Sequence, residues 1–461
     1  MHRGEYEGGD SVQDAMRRLA FTALASALLH CGSPSTNDAT PPGGEGEAGG
    51  PDASVDEPRG NGAGARDAGA RDAAPPADAS AACGPREVTC ATGCCPAGKT
   101  GHTIAAGLWF TCAIATGGTV KCTGWNVDGQ GGRPNGSFES TVPVEVPGVT
   151  EIVALTAGNR HVCALSGTGA VTCWGANDFG QLGSGATGGK GPVIVAGLDP
   201  GVVAIAAGLR HTCAVTATRA VKCWGRNYEG TLGAGAAGDS LVPVDVGSLP
   251  SGGVAFVTTG GLSTSDFPSN PPSSPTCALS QTGALGCWGA YVENVPSLAN
   301  GIADVSARGE DHRCVITGSG QVACWGFYNT FGQLGPATPD GVDSQVTKSV
   351  VAMPPGTDPV EIETGGRHSC VRTRAGRVKC WGYNSNGQLG QGGFVTNTSF
   401  SRTPVDAVGL DGVVEVAAGT RHTCARTAAG KVWCWGSRAY GALGIGSLQV
   451  STTQPVEVPG F

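Results

Sequence analysis

Between Cys112 and Cys434 one phrase recurs seven times: a cysteine, nine residues, a second cysteine, and usually Trp-Gly. Cys112 pairs in this way with Cys122, Cys163 with Cys173, Cys213 with Cys223, and Cys277 with Cys287. Cys314 with Cys324, Cys370 with Cys380 and Cys424 with Cys434 complete the series. Their first members lie 51, 50, 64, 37, 56 and 54 residues apart. A period of that size denotes a modular array whose units bury apolar faces against their neighbours.

The second unit shows what each module is made of. Ile152-Val153-Ala154-Leu155 is an apolar run of buried-strand length that ends at Ala157-Gly158. His161–Leu165 and Ala170–Trp174 then flank a Ser-Gly-Thr-Gly turn, which predicts a hairpin. Cys163 and Cys173 are equidistant from Thr168 at its tip, so they face each other across the two strands. Directly opposed residues have Cα atoms about 4.5–5.5 Å apart, within the span of a disulfide. With 78 glycines and little helix-period patterning, the chain reads as all-β. Seven small sheets repeated radially predict a seven-bladed β-propeller of four-stranded blades. A linear solenoid would need shorter, more regular spacing.

The phrase Ala-Ala-Gly-x-Arg-His-Thr-Cys-Ala, followed by Val-x-Cys-Trp-Gly-x-Asn-x-x-Gly-x-Leu-Gly, resembles the regulator of chromosome condensation repeat. It is nearly complete at Ala206–Gly233 and Val416–Gly444, and the resemblance runs from about Gly101 to Phe461. It implies a seven-bladed ring of four-stranded blades spanning 99–461, with Pro455-Val456-Glu457-Val458 closing it beside Thr103-Ile104-Ala105-Ala106. Unit one departs by moving its Trp two positions, to Trp125. Unit four lacks the turn after Trp288 and carries the insertion Leu262–Pro275; unit five has an extra residue before Asn329; unit seven places Arg438 where others have Asn.

Fourteen of nineteen cysteines lie in these pairs, which predicts disulfides and an exported protein. Structural zinc favours shorter ligand gaps than nine residues. Cys83, Cys90, Cys94 and Cys95 predict a small disulfide knot over 83–98, with three possible pairings, and adjacent Cys94-Cys95 is poor chelate geometry. Cys31 is left over. Arg17-Arg18 and the apolar stretch Leu19–Leu29 read as a signal peptide over 16–30, and Leu28-Leu29-His30-Cys31 resembles a bacterial lipobox, although His30 stands where a small residue is expected. The expectation is a lipoprotein lipidated on Cys31 at the outer membrane or cell surface; the alternative is free secretion after cleavage at Ala27. Residues 1–15 carry four acidic side chains and one arginine, an unsuitable leader, so Met16 is expected to be the true start. Residues 31–82 form a Pro/Gly/Ala/Asp-rich tether: from Gly32 to Ala82 the only large aliphatic residue is Val55.

Histidine recurs before the first cysteine at His161, His211, His312, His368 and His422. Repetition in five units argues for a structural bond to the neighbouring blade, and the recurring tryptophans likewise argue for packing between blades. No phosphate loop, zinc-protease motif, nucleophile elbow or calcium loop stands in the sequence, so neither metal nor cofactor is expected. From Pro96 to Phe461 there are 22 basic and 23 acidic residues, which gives no footprint for nucleic acid. The family resemblance implies chromatin binding and nucleotide exchange on a small GTPase, but an exported chain would not meet a cytosolic GTPase. Bacterial relatives of this repeat include an inhibitor of β-lactamases. The expectation is therefore a monomeric, non-enzymatic, surface-anchored module that binds an unnamed protein and touches membrane only through its lipid. A hydrolase or lyase acting on an extracellular polymer is the alternative. The irregular segments Leu262–Pro275, Pro336–Pro359 and Gln391–Arg402 are candidate binding loops, with Phe267, Asp266 and Asn270 the candidate contacts.

Overall fold

The structure is a computed structural model that describes residues 87–90, 93–96, 102–198, 201–235, 238–263, 274–289, 300–336, 347–393, 395–396, 399–447 and 451–461. Cys31, the segments 1–15, 16–30 and 31–82, and the side chains of Cys83, Cys90, Cys94 and Cys95 lie outside these residues. A short hairpin pairs Glu87–Cys90 with Gly93–Pro96.

From His102 onward the described strands form seven antiparallel sheets, six of four strands and the fourth of three. Their innermost strands are Ile104–Ala106, Ile152–Ala157, Val202–Ala207, Val254–Thr259, Ile302–Ser306, Pro359–Thr364 and Val413–Ala418. The inner and second strands are buried along almost their whole length, as in His211–Thr216, because a neighbouring blade covers each face. Outer strands such as Ser240–Asp245 are only half-buried. That gradient explains why the apolar runs precede each first cysteine.

The blades close into a ring through a circle of seven backbone hydrogen bonds. The N–H of Leu108 donates to Asn159, Asn159 to Gly208, Leu209 to Gly260, Gly261 to Gly309, Glu310 to Gly366, Gly366 to Gly419 and Thr420 back to Gly107, all at 3.0–3.3 Å. Each of the seven junctions is crossed by one bond of this circle. The fold is the seven-bladed propeller expected from the repeat.

The C-terminal strand takes a different place from the one the family resemblance suggested. Thr452–Glu457 is the outer strand of blade 7, paired with Val432–Gly436, and blade 1 is built wholly from residues 104–145. Val458 meets blade 1 by packing in a core that holds Ile104, Ala113, Cys424 and Leu443. The ring thus closes by side-chain contact and hydrogen bonds between blades 7 and 1, since the last blade supplies all its own strands.

Each hairpin is bridged as its cysteine spacing requires. In blades 1 to 4 the disulfides join Cys112 to Cys122, Cys163 to Cys173, Cys213 to Cys223 and Cys277 to Cys287. In blades 5 to 7 they join Cys314 to Cys324, Cys370 to Cys380 and Cys424 to Cys434. Their Cα atoms lie 4.0–4.1 Å apart, closer than the span expected for directly opposed residues. In the ladder Cys213 lies directly opposite Cys223, and the same register sets Cys122, Cys173, Cys287, Cys324, Cys380 and Cys434 opposite their partners.

Candidate functional site: the channel and the loop face

The repeated residues are used in joining blades. His161 Nε2 meets the hydroxyl of Thr212 in the next blade at 2.9 Å, and that hydroxyl donates to the Gln181 carbonyl at 2.8 Å. The hydroxyl proton is thereby spent, so the imidazole donates from Nε2, and its buried, unpartnered Nδ1 offers no acceptor for a second ring proton. The indole of Trp224 donates to the same Gln181 carbonyl at 3.0 Å. Equivalent contacts join His211 to Thr276, His312 to Ser369, His368 to Thr423 and His422 to Thr111. Burial holds His161, His211, His312 and His368 down at about 3 and His422 at about 4. Gly158 is required because a Cβ there would lie 2.5 Å from the His161 ring. Blade 1 has Phe110 instead of histidine and blade 4 has Pro275, so junctions 1–2 and 4–5 lack the relay.

At the axis, the inner strands surround a cavity of about 40 Å³, room for only two or three waters. Arg308 bridges it. Blade 5 has one residue more between its cysteine-paired position, Ser306, and Gly309 than blade 3 has between Ala206 and Gly208, and Arg308 fills that extra place. Its Nη2 donates at 2.8 Å to the carbonyls of both Ala106 and Ala157, in blades 1 and 2.

Beside it gather His102, Glu361, Glu363 and Glu415, a convergence that thinly scattered carboxylates in the sequence did not suggest. Glu415 accepts the Thr103 and Ile104 N–H groups at 2.7 and 2.9 Å and His102 Nδ1 at 3.1 Å. Glu361 pairs with Arg372 at 2.6 Å and takes the Val416 N–H at 3.4 Å; Asp304 takes the Ile362 N–H at 2.8 Å. Three successive blades therefore grip the next inner strand with a carboxylate. His102, Glu361 and Glu363 stand close enough to share a cation. Their neighbours argue for a balanced charge network instead: Arg372 already occupies Glu361, and Arg308 Nε and His102 Nε2 each lie 3.8 Å from Glu363.

Burial alone would depress His102, but its hydrogen bond to Glu415 and the charges of Glu415, Glu363 and Glu361 outweigh it and raise the imidazole to about 8. Burial would raise the Glu415 carboxyl; His102, Thr103 and Ile104 together hold it below its ordinary value. A raised histidine stabilises the fold fully below its unfolded value near 6.5 and loses that contribution as pH rises through about 8. The blade 7–blade 1 junction should thus loosen in alkali, seen as lower protection factors at the Thr103 and Ile104 amides above pH 8, after division by the base-catalysed intrinsic exchange rate. Glu415→Ala should cost about 3 kcal/mol in denaturant titration by stranding those two buried N–H groups, and should abolish the alkaline effect.

One face of the ring differs from the other in side-chain chemistry. Loops from inner to second strand and from third to outer strand emerge on this loop face; hairpin tips such as 166–170 and 216–220 emerge on the opposite one. None of the seven tip sequences holds an aromatic residue. Every exposed aromatic among the described residues, Phe138, Tyr328, Phe400 and Tyr440, belongs to the loop face. The loops are shaped by a repeated asparagine: Asn177 Oδ1 accepts the Leu182 N–H and its Nδ2 donates to Ala186 and Gly188. Thr123 fills the tryptophan slot of blade 1, donating to Gly441 at 2.9 Å, and this leaves the displaced Trp125 to meet Trp109 and Tyr440, with centroids 5.3 and 5.8 Å away. Tyr440 is 42% exposed and left-handed at φ 57°, a strained conformation for a non-glycine residue.

Phe267, Asp266 and Asn270 lie outside the described residues, so nothing brings them to a site. The flanks of their insertion do emerge on the loop face. Leu262 and Ser263 are buried, and Ser263 sits between Asn159 Oδ1 and Glu310 Oε1, donating to them at 3.2 and 2.8 Å. Those flanks are part of the ring, so deleting the whole of Leu262–Pro275 would remove ring contacts. Sequence reasoning missed Arg308, the His102–Glu415 clasp and the Trp109–Trp125–Tyr440 cluster. Arg308 had one signal, the extra residue before Gly309.

Comparison with known proteins agrees with this architecture. A family model described as the regulator of chromosome condensation (RCC1) repeat matches residues 102–130, 152–181, 202–231, 360–388 and 413–442, and a second model of that description matches 168–215 and 375–426. The Arabidopsis thaliana ultraviolet-B receptor UVR8 is 30% identical over 365 residues, covering 74% of this chain and 78% of the receptor. The mitochondrial RCC1 domain-containing protein RUG3 of the same plant is 34% identical over 98 residues, 21% of this chain and 22% of RUG3. Prp20p of Saccharomyces cerevisiae, solved in a study of its binding to Gsp1p and histones, superposes with a TM-score of 0.63 at 20% identity, covering 75% of this chain and 87% of Prp20p; that likeness speaks for the fold. The chain belongs to the regulator of chromosome condensation repeat family.

Proposed function

We infer that this propeller is a non-enzymatic protein-binding module that engages its partner through the loop face. The observation that carries the reading is the segregation of exposed aromatic side chains to that face, on a ring whose hairpin tips have none. Large amphipathic rings supply contact area at low entropic cost and concentrate at interfaces. The relatives support it in kind, since the yeast protein is described by its binding to Gsp1p and histones. The channel does not favour a polymer-acting enzyme, because its carboxylates Glu415 and Glu361 already hold strand N–H groups and an arginine. Seven disulfides support an oxidising compartment, and the Leu28–Cys31 sequence supports a lipid anchor on Cys31, with secretion the alternative.

Panning a displayed random-peptide library against the full-length, oxidised chain tests the reading. Peptides should be enriched whose binding is lost when the chain is unfolded and is weakened by Tyr440→Ala. Enrichment no greater than on an uncoated surface would refute the module.

A further inference from the structure

We propose that the loop face of blades 6, 7, 1, 2 and 3 docks an acidic segment of a partner protein, with an apolar side chain of that segment seated on the Trp109–Trp125–Tyr440 cluster. The proposal rests on the protein-binding reading above and adds the chemistry of the partner. At one repeated position, just before the relay histidine, stand Arg367, Arg421, Arg160 and Arg210 in blades 6, 7, 2 and 3, with Trp109 at the matching place in blade 1. The residue preceding each takes part in the backbone circle, so these five side chains are set on a fixed arc around the axis. The longer loops and strand ends of the same blades add Arg133, Lys190, Arg226, Arg402 and Arg438. Against these nine cations the same segments hold five carboxylates, Asp128, Glu139, Asp178, Glu229 and Asp239. Arg160 pairs with Asp128. Even with Glu310 and Asp311 of blade 5 added, seven carboxylates cannot neutralise nine cations, so the arc stays positive whichever of these pairs form.

The arc ends at blades 4 and 5. There the repeated position is Ser274 and Asp311, and Glu310 adjoins it, pairing with Arg367 at 2.9 Å. A ring that is near neutral as a whole therefore presents a bounded cationic sector, which suits a short acidic segment better than a long polyanion. Several of its guanidinium groups lie over aromatic rings: Arg210 and Arg226 lie 5.0 and 4.7 Å from the Phe179 centroid, and Arg160 lies 5.3 Å from that of Trp125. Contact with a ring limits the freedom of these side chains before a partner arrives, which favours paired hydrogen bonds to carboxylates.

Fluorescence anisotropy with the full-length oxidised chain tests this, using a labelled peptide of alternating Glu and Tyr beside its Gln/Tyr counterpart. The Glu peptide should bind at least about tenfold more tightly at low salt and lose that advantage at about 1 M salt. The triple variant Arg160→Gln, Arg210→Gln, Arg421→Gln should weaken it about tenfold or more with an unchanged melting curve, whereas Arg219→Gln with Arg374→Gln on the hairpin face should not. Equal binding of the two peptides would overturn the acidic-partner proposal while leaving the protein-binding reading in place. So would retention of heparin in place of the Glu peptide, or self-association in sedimentation that the triple variant abolishes, since these assign the arc to a polyanion or to a second copy. Failure of both peptides, together with an unenriched library, would remove the reading beneath it.

Discussion

Acidification from pH 7 to about 4.5 should destabilise the ring by on the order of 10 kcal/mol, far more than carboxylate protonation alone would give over that range. Five imidazoles, each at most 1% exposed, are held neutral at about 3 or 4 against an ordinary 6.5. Below 6.5 the unfolded chain takes up protons that the folded chain refuses, so stability is full above that value and falls as pH drops. Each unit of separation is worth about 1.4 kcal/mol per group. Glu415, held below its ordinary value, begins to contribute only at still lower pH. Urea titrations at several pH values read the slope directly. His422→Gln retains an N–H donor toward Thr111 and should remove close to one histidine's share of the slope. A stability independent of pH from 7 to 4.5 would show that the imidazoles are protonated in the fold and that the relay is misassigned.

Reduction should be the second large effect. Each disulfide closes a ten-residue separation, for which loop closure contributes roughly 2.5–3 kcal/mol. The seven are not strictly additive, yet even half their sum is comparable with the ~5–15 kcal/mol that separates folded from unfolded domains. A phosphine reductant should therefore lower the denaturation midpoint steeply and expose thiols on all seven hairpins together, because every blade stabilises its neighbours. Recovery of free Cys163, Cys213 or Cys424 from the untreated protein by peptide mapping would contradict both the pairing and the argument for an oxidising compartment.

Most of the fold was legible because it is local. Cys163 and Cys173 share a hairpin, so nine residues and a turn were enough to place them opposite each other. The histidine and tryptophan roles were legible by repetition, which alone distinguishes a joint from a unique site. The channel cluster was not legible because its members meet only when the ring closes: His102 and Glu415 are 313 residues apart, and Glu361 and Glu363 look like ordinary strand residues until blades 6, 7 and 1 surround the axis. The same holds for Trp109 and Tyr440, whose rings lie 4.9 Å apart across that closing junction. The placing of Pro455–Val458 failed for a related reason. Strand pattern tells that a segment is β, and both an outer strand of blade 7 and a partner of blade 1 satisfy it; pairing with Val432–Gly436 decided the matter.

Amide hydrogen exchange on the full-length oxidised chain, with and without a library-selected binder, tests the loop-face assignment most directly. The account predicts protection at 108–110, 126–138, 209–210 and 437–446, with hairpin tips 166–170, 216–220 and 373–377 unchanged. Protection confined to those tips, with the loops unaffected, would contradict it.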